Sequence, residues 1–265
     1  MKFGICAAGR FGPDLEDAFR IAPEIGFDGL EIPFVKVEDY QDELIWTAQG
    51  VRRLREWSER YAVETPSCVA GRYNRRGFPD ADAAVRGEAV ELMLNLIDRC
   101  ADAGIGTILT AFFGDQMLDG EERIQRAIAG VKHCAPKAES RGVTLALEGT
   151  VDVDTWLRMI DEIDSEAVAV YYDVGNALRF GLDGPAELRR LDDEGLLAQI
   201  HIKDMTFDHK NMPLGEGDVN WDAVGEALRE ISYDGYLVLE TPSSDNPRED
   251  YAAWLEFTHA LVSEG

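Results

Sequence analysis

Four residues in the second half of the chain have types suited to holding a cation or moving a proton: Glu148, Asp173, His201 and Glu240. Each lies at or near the end of a short apolar run: VTLALE (143–148), VAVYYD (168–173), LAQIHIKD (197–204) and YLVLE (236–240). Taken singly, each has an ordinary reading. A carboxylate at a strand end caps a helix or sits in a solvated turn, and a lone His on an apolar strand is a satisfied core residue. Four on successive runs weigh differently. Carboxylates crowded into one place repel and raise one another's pKa, and a divalent cation removes that cost. Three carboxylates and one imidazole suit a single Mn2+, Mg2+, Co2+ or Zn2+ ion, with positions open for substrate. The chemistry such a set supports is Lewis-acid polarisation of a bound oxygen beside carboxylates that exchange a proton.

These residues reach one place only if the elements deliver them there. Short apolar runs alternate with helical patterns along the whole chain. Strands are predicted at 2–6, 29–32, 63–69, 107–113, 143–148, 168–176, 197–204 and 236–241. The intervening helices carry apolar stripes, the longest being Val85, Ala89, Leu92, Met93, Leu96, Ile97 and Cys100 after a cap at Asp80 or Asp82. Pro13-Asp14 opens the first helix, 43–61 reads as the second, and Pro136 predicts a kink or break within 121–141. Near-continuous apolar strands alternating with helices indicate a parallel sheet covered by helices. Eight units indicate closure, so the predicted fold is α/β, a single (β/α)8 TIM barrel over 1–265. In that fold the C-terminal strand ends meet at one mouth. An open doubly wound sheet is disfavoured by the absence of G-x-G-x-x-G after the first strand. From His201 a loop with Pro213 and Gly215-Glu216-Gly217 leads to a helix starting at Trp221.

Composition narrows the classes further. The formal net charge of -25 repels phosphate backbones, so no nucleic-acid partner is expected. An acidic, Lys-poor surface fits either a salt-adapted host or an acidic mesophilic protein. No run of about 18 apolar residues is present, so no membrane association is expected, and MKFGICAAGR does not read as a signal peptide. Cys6, Cys68, Cys100 and Cys134 lack C-x-x-C spacing and read as buried reduced thiols of a cytoplasmic protein. A reactive nucleophile at Cys6 or Cys68 is the alternative.

ALEGT (146–150), YYDVGN (171–176), HIKD (201–204), PLGEGDVNW (213–221) and LVLET (237–241) together resemble the signatures of xylose isomerase-like sugar phosphate isomerases and epimerases. DVGN, HIKD, KNMPLGEG and the RRGFP loop are most similar to L-ribulose-5-phosphate (L-xylulose-5-phosphate) 3-epimerases. The resemblance implies that Glu148, Asp173, His201 and Glu240 bind one divalent metal, and that Glu148 and Glu240 are the catalytic pair. A cation chelating a ketose carbonyl and the adjacent hydroxyl would stabilise an enediolate, while one carboxylate on each face removes and returns a proton. Return to the same carbon is epimerisation, and movement to its neighbour is aldose–ketose isomerisation. A metal-dependent dehydratase of the inosose or dehydroshikimate type would use the same ligands. DNA repair nucleases share the barrel but need further His ligands and a DNA-tolerant surface. A sugar-binding barrel without activity is a further alternative.

The expected partner is a sugar or sugar phosphate, and the sequence is compatible with a homo-oligomer. Arg75 and Arg76, beside Arg72, form a basic cluster suited to phosphate oxygens, or pair with nearby Asp80 and Asp82. Lys203, on the strand face of His201 by period-two alternation, points toward substrate. Lys210 flanks the same stretch, and Asn176 either bonds a sugar hydroxyl or caps a helix. Asp154 is either a sugar contact or a helix N-terminal residue. Asn176 and Phe207 stand where free-ketose 3-epimerases resemble one another in having His and Arg, which points away from a free ketohexose.

Overall fold

The computed structural model describes residues 1–7, 10–12 and 14–263. Pro13, read as opening the first helix, lies outside them. Eight strands close a barrel in the hydrogen-bonded order β1-β10-β7-β6-β5-β4-β3-β2. They are β1 (Lys2–Cys6), β2 (Gly29–Phe34), β3 (Glu64–Ala70), β4 (Thr107–Ala111), β5 (Thr144–Glu148), β6 (Val168–Asp173), β7 (Leu197–Ile202) and β10 (Tyr236–Leu239). The pairings β1–β2, β1–β10, β7–β10, β3–β4, β4–β5 and β5–β6 are all parallel. The predicted (β/α)8 barrel is therefore the fold.

The residues sort into two compact sets. One comprises Met1–Glu31, Arg60–Glu64 and Tyr171–Gly265. It holds α1 (Leu15–Ile25), α6 (Val174–Arg179), α7 (Gly184–Asp193), α8 (Trp221–Glu230) and α9 (Pro247–Val262). Side chains of Asp14, Asp173, Asp183 and Asn220 cap α1, α6, α7 and α8 by accepting backbone N–H bonds. Part of the acidic excess thus serves helix N-termini, where both the orphan donors and the helix dipole favour an anion. The seventh strand, expected to run to 204, stops at Ile202. Asp204-Met205 (β8) instead pairs antiparallel with Asn211-Met212 (β9).

One buried carboxylate organises the loop that follows. Asp204 Oδ2 accepts from Gly215 N at 2.8 Å, Gly217 N at 3.0 Å and Trp221 Nε1 at 3.0 Å, and Oδ1 accepts from Val219 N at 3.4 Å. A Cβ on Gly217 would collide with this carboxylate, so the close wrap requires glycine there. Trp221 then starts α8 and packs edge-on against Phe257, with ring centroids 5.5 Å apart.

The second set comprises Ile32–Glu59 and Thr65–Val170. It holds all but the last two residues of α2 (Ala48–Tyr61), with α3 (Ala83–Ala103), α4 (Glu121–Arg141) and α5 (Val153–Ile163). The helix expected from 43 begins only at Ala48, because Thr47 Oγ1 accepts from Gly50 N at 2.9 Å and caps it, and single 3-10 turns precede it. Asp82 is the cap of α3. Helix α4 runs unbroken through Pro136, with Ile124, Ala127, Ile128, Val131, Cys134, Ala135 and Ala138 all buried. Tertiary burial of that stripe outweighs the one hydrogen bond that proline removes.

Candidate active site

Asp173 ends β6 and caps α6 at once, and the cap fixes its geometry. Oδ1 accepts from Gly175 N at 2.8 Å and Asn176 N at 2.9 Å, while Oδ2 accepts from Asn176 Nδ2 at 2.8 Å. Oδ2 also lies 3.5 Å from Lys203 Nζ and 3.9 Å from His201 Nδ1. The helix reaches this position because residue 175 has no side chain. A Cβ there would sit 2.8 Å from the Lys203 carbonyl oxygen.

Strand register brings in the next pair. Val238 is opposite His201 and Leu239 opposite Ile202, so one step further Glu240 meets Lys203. Their side chains join at 3.0 Å, and Glu240 Oε2 is 3.5 Å from His201 Nδ1. Desolvation pushes the Glu240 carboxyl up. The Lys203 ammonium, with Arg10 behind it, outweighs that and holds the group down at about 2. Arg10 itself is held by the carbonyl oxygens of Thr241 and Cys6.

The His201 ring is buried, with Nε2 at 2.8 Å from Glu31 Oε1 and its face 4.4 Å from the Tyr171 ring centroid. A carboxylate accepts and does not donate, so the network assigns the ring proton to Nε2 and leaves Nδ1 as the lone-pair nitrogen. That nitrogen is the one facing Asp173 and Glu240.

Glu148 closes β5, paired with Ala111, and is also buried. One ligand atom from each of Glu148, Asp173 and His201 lies within 4.8 Å of the others. Donors across one divalent ion, bound at about 2.0–2.6 Å, stand up to about 4–5 Å apart. This O,O,N set therefore fits one such ion in both spacing and donor chemistry.

The remaining predicted contacts fall in several places. Lys203 sits between Asp173 and Glu240, and the amide nitrogen of Asn176 is spent on Asp173. Lys210 is exposed on the β8–β9 hairpin, 2.7 Å from Asp208. Phe207 on that hairpin is 70% exposed. Arg76 and Arg72 pair with Glu88 rather than with Asp80 or Asp82, and Arg75 is exposed. Asp154 is exposed in the first turn of α5, whose cap is Asp152. All four cysteines are buried, and burial pushes the Cys134 thiol up to about 12.

Sequence reasoning passed over Glu31, Tyr171 and Arg10. Glu31 was legible only as a strand residue, although a carboxylate inside GLEIPF is itself a signal. Its partner is 170 positions away and no pattern connects them.

A family profile described as a xylose isomerase-like TIM barrel matches residues 19–261. The chain belongs to that family. Among curated members, it is 29% identical over 234 residues to SgbU of Escherichia coli K12, provisionally named an L-ribulose-5-phosphate 3-epimerase; the match covers 83% of this chain and 81% of that protein. It is 24% identical over 258 residues to UlaE of Escherichia coli SMS-3-5, an L-ribulose-5-phosphate 3-epimerase, covering 94% and 90% of the two chains. A solved L-ribulose 3-epimerase superposes with a TM-score of 0.81 at 18% identity, covering 98% of this chain and 94% of that one. This xylose isomerase-like barrel is an enzyme. No helix among its described residues is long and apolar enough to cross a membrane.

Proposed function

We propose that this chain, acting as one catalytic barrel domain in the cytoplasm, is a divalent-metal-dependent isomerase or epimerase of a ketose or ketose phosphate. The observation that carries the reading is the buried Glu148, Asp173, His201 set within 4.8 Å, with Glu240 at 3.5 Å from the same imidazole. The names of the E. coli relatives make L-ribulose 5-phosphate the first substrate to test.

Glu148, Asp173, His201 and Glu240 would hold the ion, which supplies Lewis-acid stabilisation to a developing enediolate oxygen. Glu148 and Glu240 take the proton from one face of the carbon next to the carbonyl and return one to the other. Each needs one oxygen for the ion and one for the proton. Lys203, already an ammonium beside Glu240, would turn to a substrate hydroxyl or oxyanion once the ion supplies the compensating charge. Asn176 holds Asp173 in register through its amide N–H and would reach a sugar hydroxyl beside it. Arg75, Arg76 and Lys210 would meet the phosphate, and Asp154 a sugar hydroxyl. Arg75 is the exposed arginine of the cluster, while Arg76 must leave or share Glu88 to take part.

The test is solvent exchange in D2O, followed by NMR, with L-ribulose 5-phosphate and Mn2+. Deuterium at C3 with appearance of the L-xylulose epimer supports the proposal. Deuterium at C1 with an aldose product supports the isomerase branch. Loss of water from an inosose or dehydroshikimate without exchange of any ketose would replace it with a dehydratase.

A further inference from the structure

We infer that Glu31 is the positioning residue of the proposed metal centre: through the hydrogen bond between its Oε1 and His201 Nε2 it fixes the ring's tautomer and orientation, with Tyr171 fixing Glu31 in turn. The inference rests on the proposed cation site and extends it to a carboxylate on β2 that acts through the imidazole.

Glu31 is 0% exposed, a position where a carboxylate survives only with partners. Among its partners, His201 Nε2 lies 2.8 Å from Oε1 and the Tyr171 hydroxyl 2.8 Å from Oε2. The phenol donates, and because a carboxylate only accepts, the ring proton is on Nε2. The Tyr171 ring lies against the imidazole with centroids 4.4 Å apart and planes at 51°, which limits rotation about the ring's own bond. Two independent restraints therefore act on one side chain. The hydrogen bond chooses which nitrogen carries the proton, and the aromatic contact chooses where the other points. The outcome is that Nδ1 faces Asp173 Oδ2 and Glu240 Oε2. A metal-binding imidazole whose second nitrogen donates to a carboxylate is a more basic ligand and needs no reorganisation on binding.

Three strands therefore contribute to one ligand. β7 carries the imidazole, β6 carries Tyr171 two residues before Asp173, and β2 carries Glu31. The alternation of side chains along a strand puts Tyr171 and Asp173 on the same face of β6, so the residue that orients the carboxylate's neighbour comes from the same strand as the carboxylate.

The experiment uses the full chain, freed of metal and titrated with Mn2+ alone. Calorimetry compares wild type with Glu31→Gln and Tyr171→Phe, and 15N NMR of the imidazole reads the His201 tautomer in the metal-free wild type. The wild-type ring should carry its proton on Nε2. Glu31→Gln should weaken Mn2+ binding by about 10–100-fold, the range seen when an outer-shell partner of a ligand is lost. Tyr171→Phe, which leaves the Oε1 bond in place, should weaken it less. Folding of each variant is checked by circular dichroism, and Tyr171→Phe carries the comparison if Glu31→Gln does not fold. A folded Glu31→Gln protein binding Mn2+ within about threefold of wild type overturns the inference, as does an Nδ1-protonated ring in the wild type. Wild-type protein that binds no Mn2+ contradicts the proposed function instead, and the tautomer then still decides whether Glu31 sets the ring.

Discussion

Replacing Asp204 with Ala should be among the most destabilising single changes outside the hydrophobic core, although Asp204 is assigned no chemical step. Its carboxylate takes three N–H bonds of 2.8–3.0 Å from Gly215, Gly217 and Trp221 and a longer one from Val219. Hydrogen bonds to a charged acceptor contribute about 1.5–3 kcal/mol each. The Trp221 bond is buried and counts in full, whereas the two glycine amides are only partly buried and regain water once the loop opens. The sum is on the order of 3–5 kcal/mol. At about 2–4 °C per kcal/mol for a chain of this size, the apparent melting temperature should fall by roughly 10 °C. Asp204→Asn keeps one accepting oxygen and should lose about half as much. Asp208→Ala, at the exposed end of the hairpin, removes surface contacts with Lys210 and Thr206 and is the control, expected to unfold at the wild-type urea midpoint. Urea unfolding followed by tryptophan fluorescence and by circular dichroism measures all three. Asp204→Ala within about 1 kcal/mol of wild type would refute the reasoning, because the loop would then be held by something other than that carboxylate.

Further outcomes follow from the site. With the metal removed, Glu240 sits at about 2, below the unfolded value of about 4.3, so its stabilising contribution is complete above about pH 4.3 and is lost as pH falls toward 2. Lys203→Met should move the Glu240 carboxyl upward in a 13C NMR titration of metal-free protein; no movement would show that Lys203 is not the group holding it down. Gly175→Ala forces a Cβ to within 2.8 Å of the Lys203 carbonyl oxygen and should displace α6 with Asp173. Mn2+ affinity and exchange rate should then both fall at least tenfold, measured by calorimetry and by NMR. Treatment with EDTA should abolish C3 exchange and Mn2+ should restore it, read in the same NMR assay.

Much of this arrangement was legible because it is written in local pattern. Eight apolar runs alternating with amphipathic stripes specify a barrel, and in a barrel the strand ends converge, so Asp173, His201 and Glu240 could be grouped from position alone. Lys203 followed from the period-two relation to His201. The strand ends were less legible. The apolar pattern extends the seventh strand to 204, but the buried residue there accepts four N–H bonds from positions 11 to 17 residues later. The second helix starts at Ala48 rather than at Glu43 because the hydroxyl of Thr47 caps it. Glu31 and Arg10 were missed for a common reason: their partners are distant in the chain, and strand periodicity reports which face a residue is on but not what it meets. The Arg72–Arg76 cluster illustrates the opposite failure, where proximity in sequence suggested Asp80 and Asp82 while the fold supplied Glu88.

The most direct test of the account is C3 deuterium incorporation into L-ribulose 5-phosphate by Mn2+-loaded wild type, Glu148→Gln and Glu240→Gln. Two carboxylates on opposite faces of one carbon predict exchange and epimer in the wild type and loss of epimer in both variants. Each variant should lose at least about a thousandfold in epimerisation rate, given the 10²–10⁴ contribution of a positioned acid or base and the ligand lost with it. Epimerisation at the wild-type rate in either variant would contradict the assignment of that residue, and in both would contradict the two-carboxylate account itself.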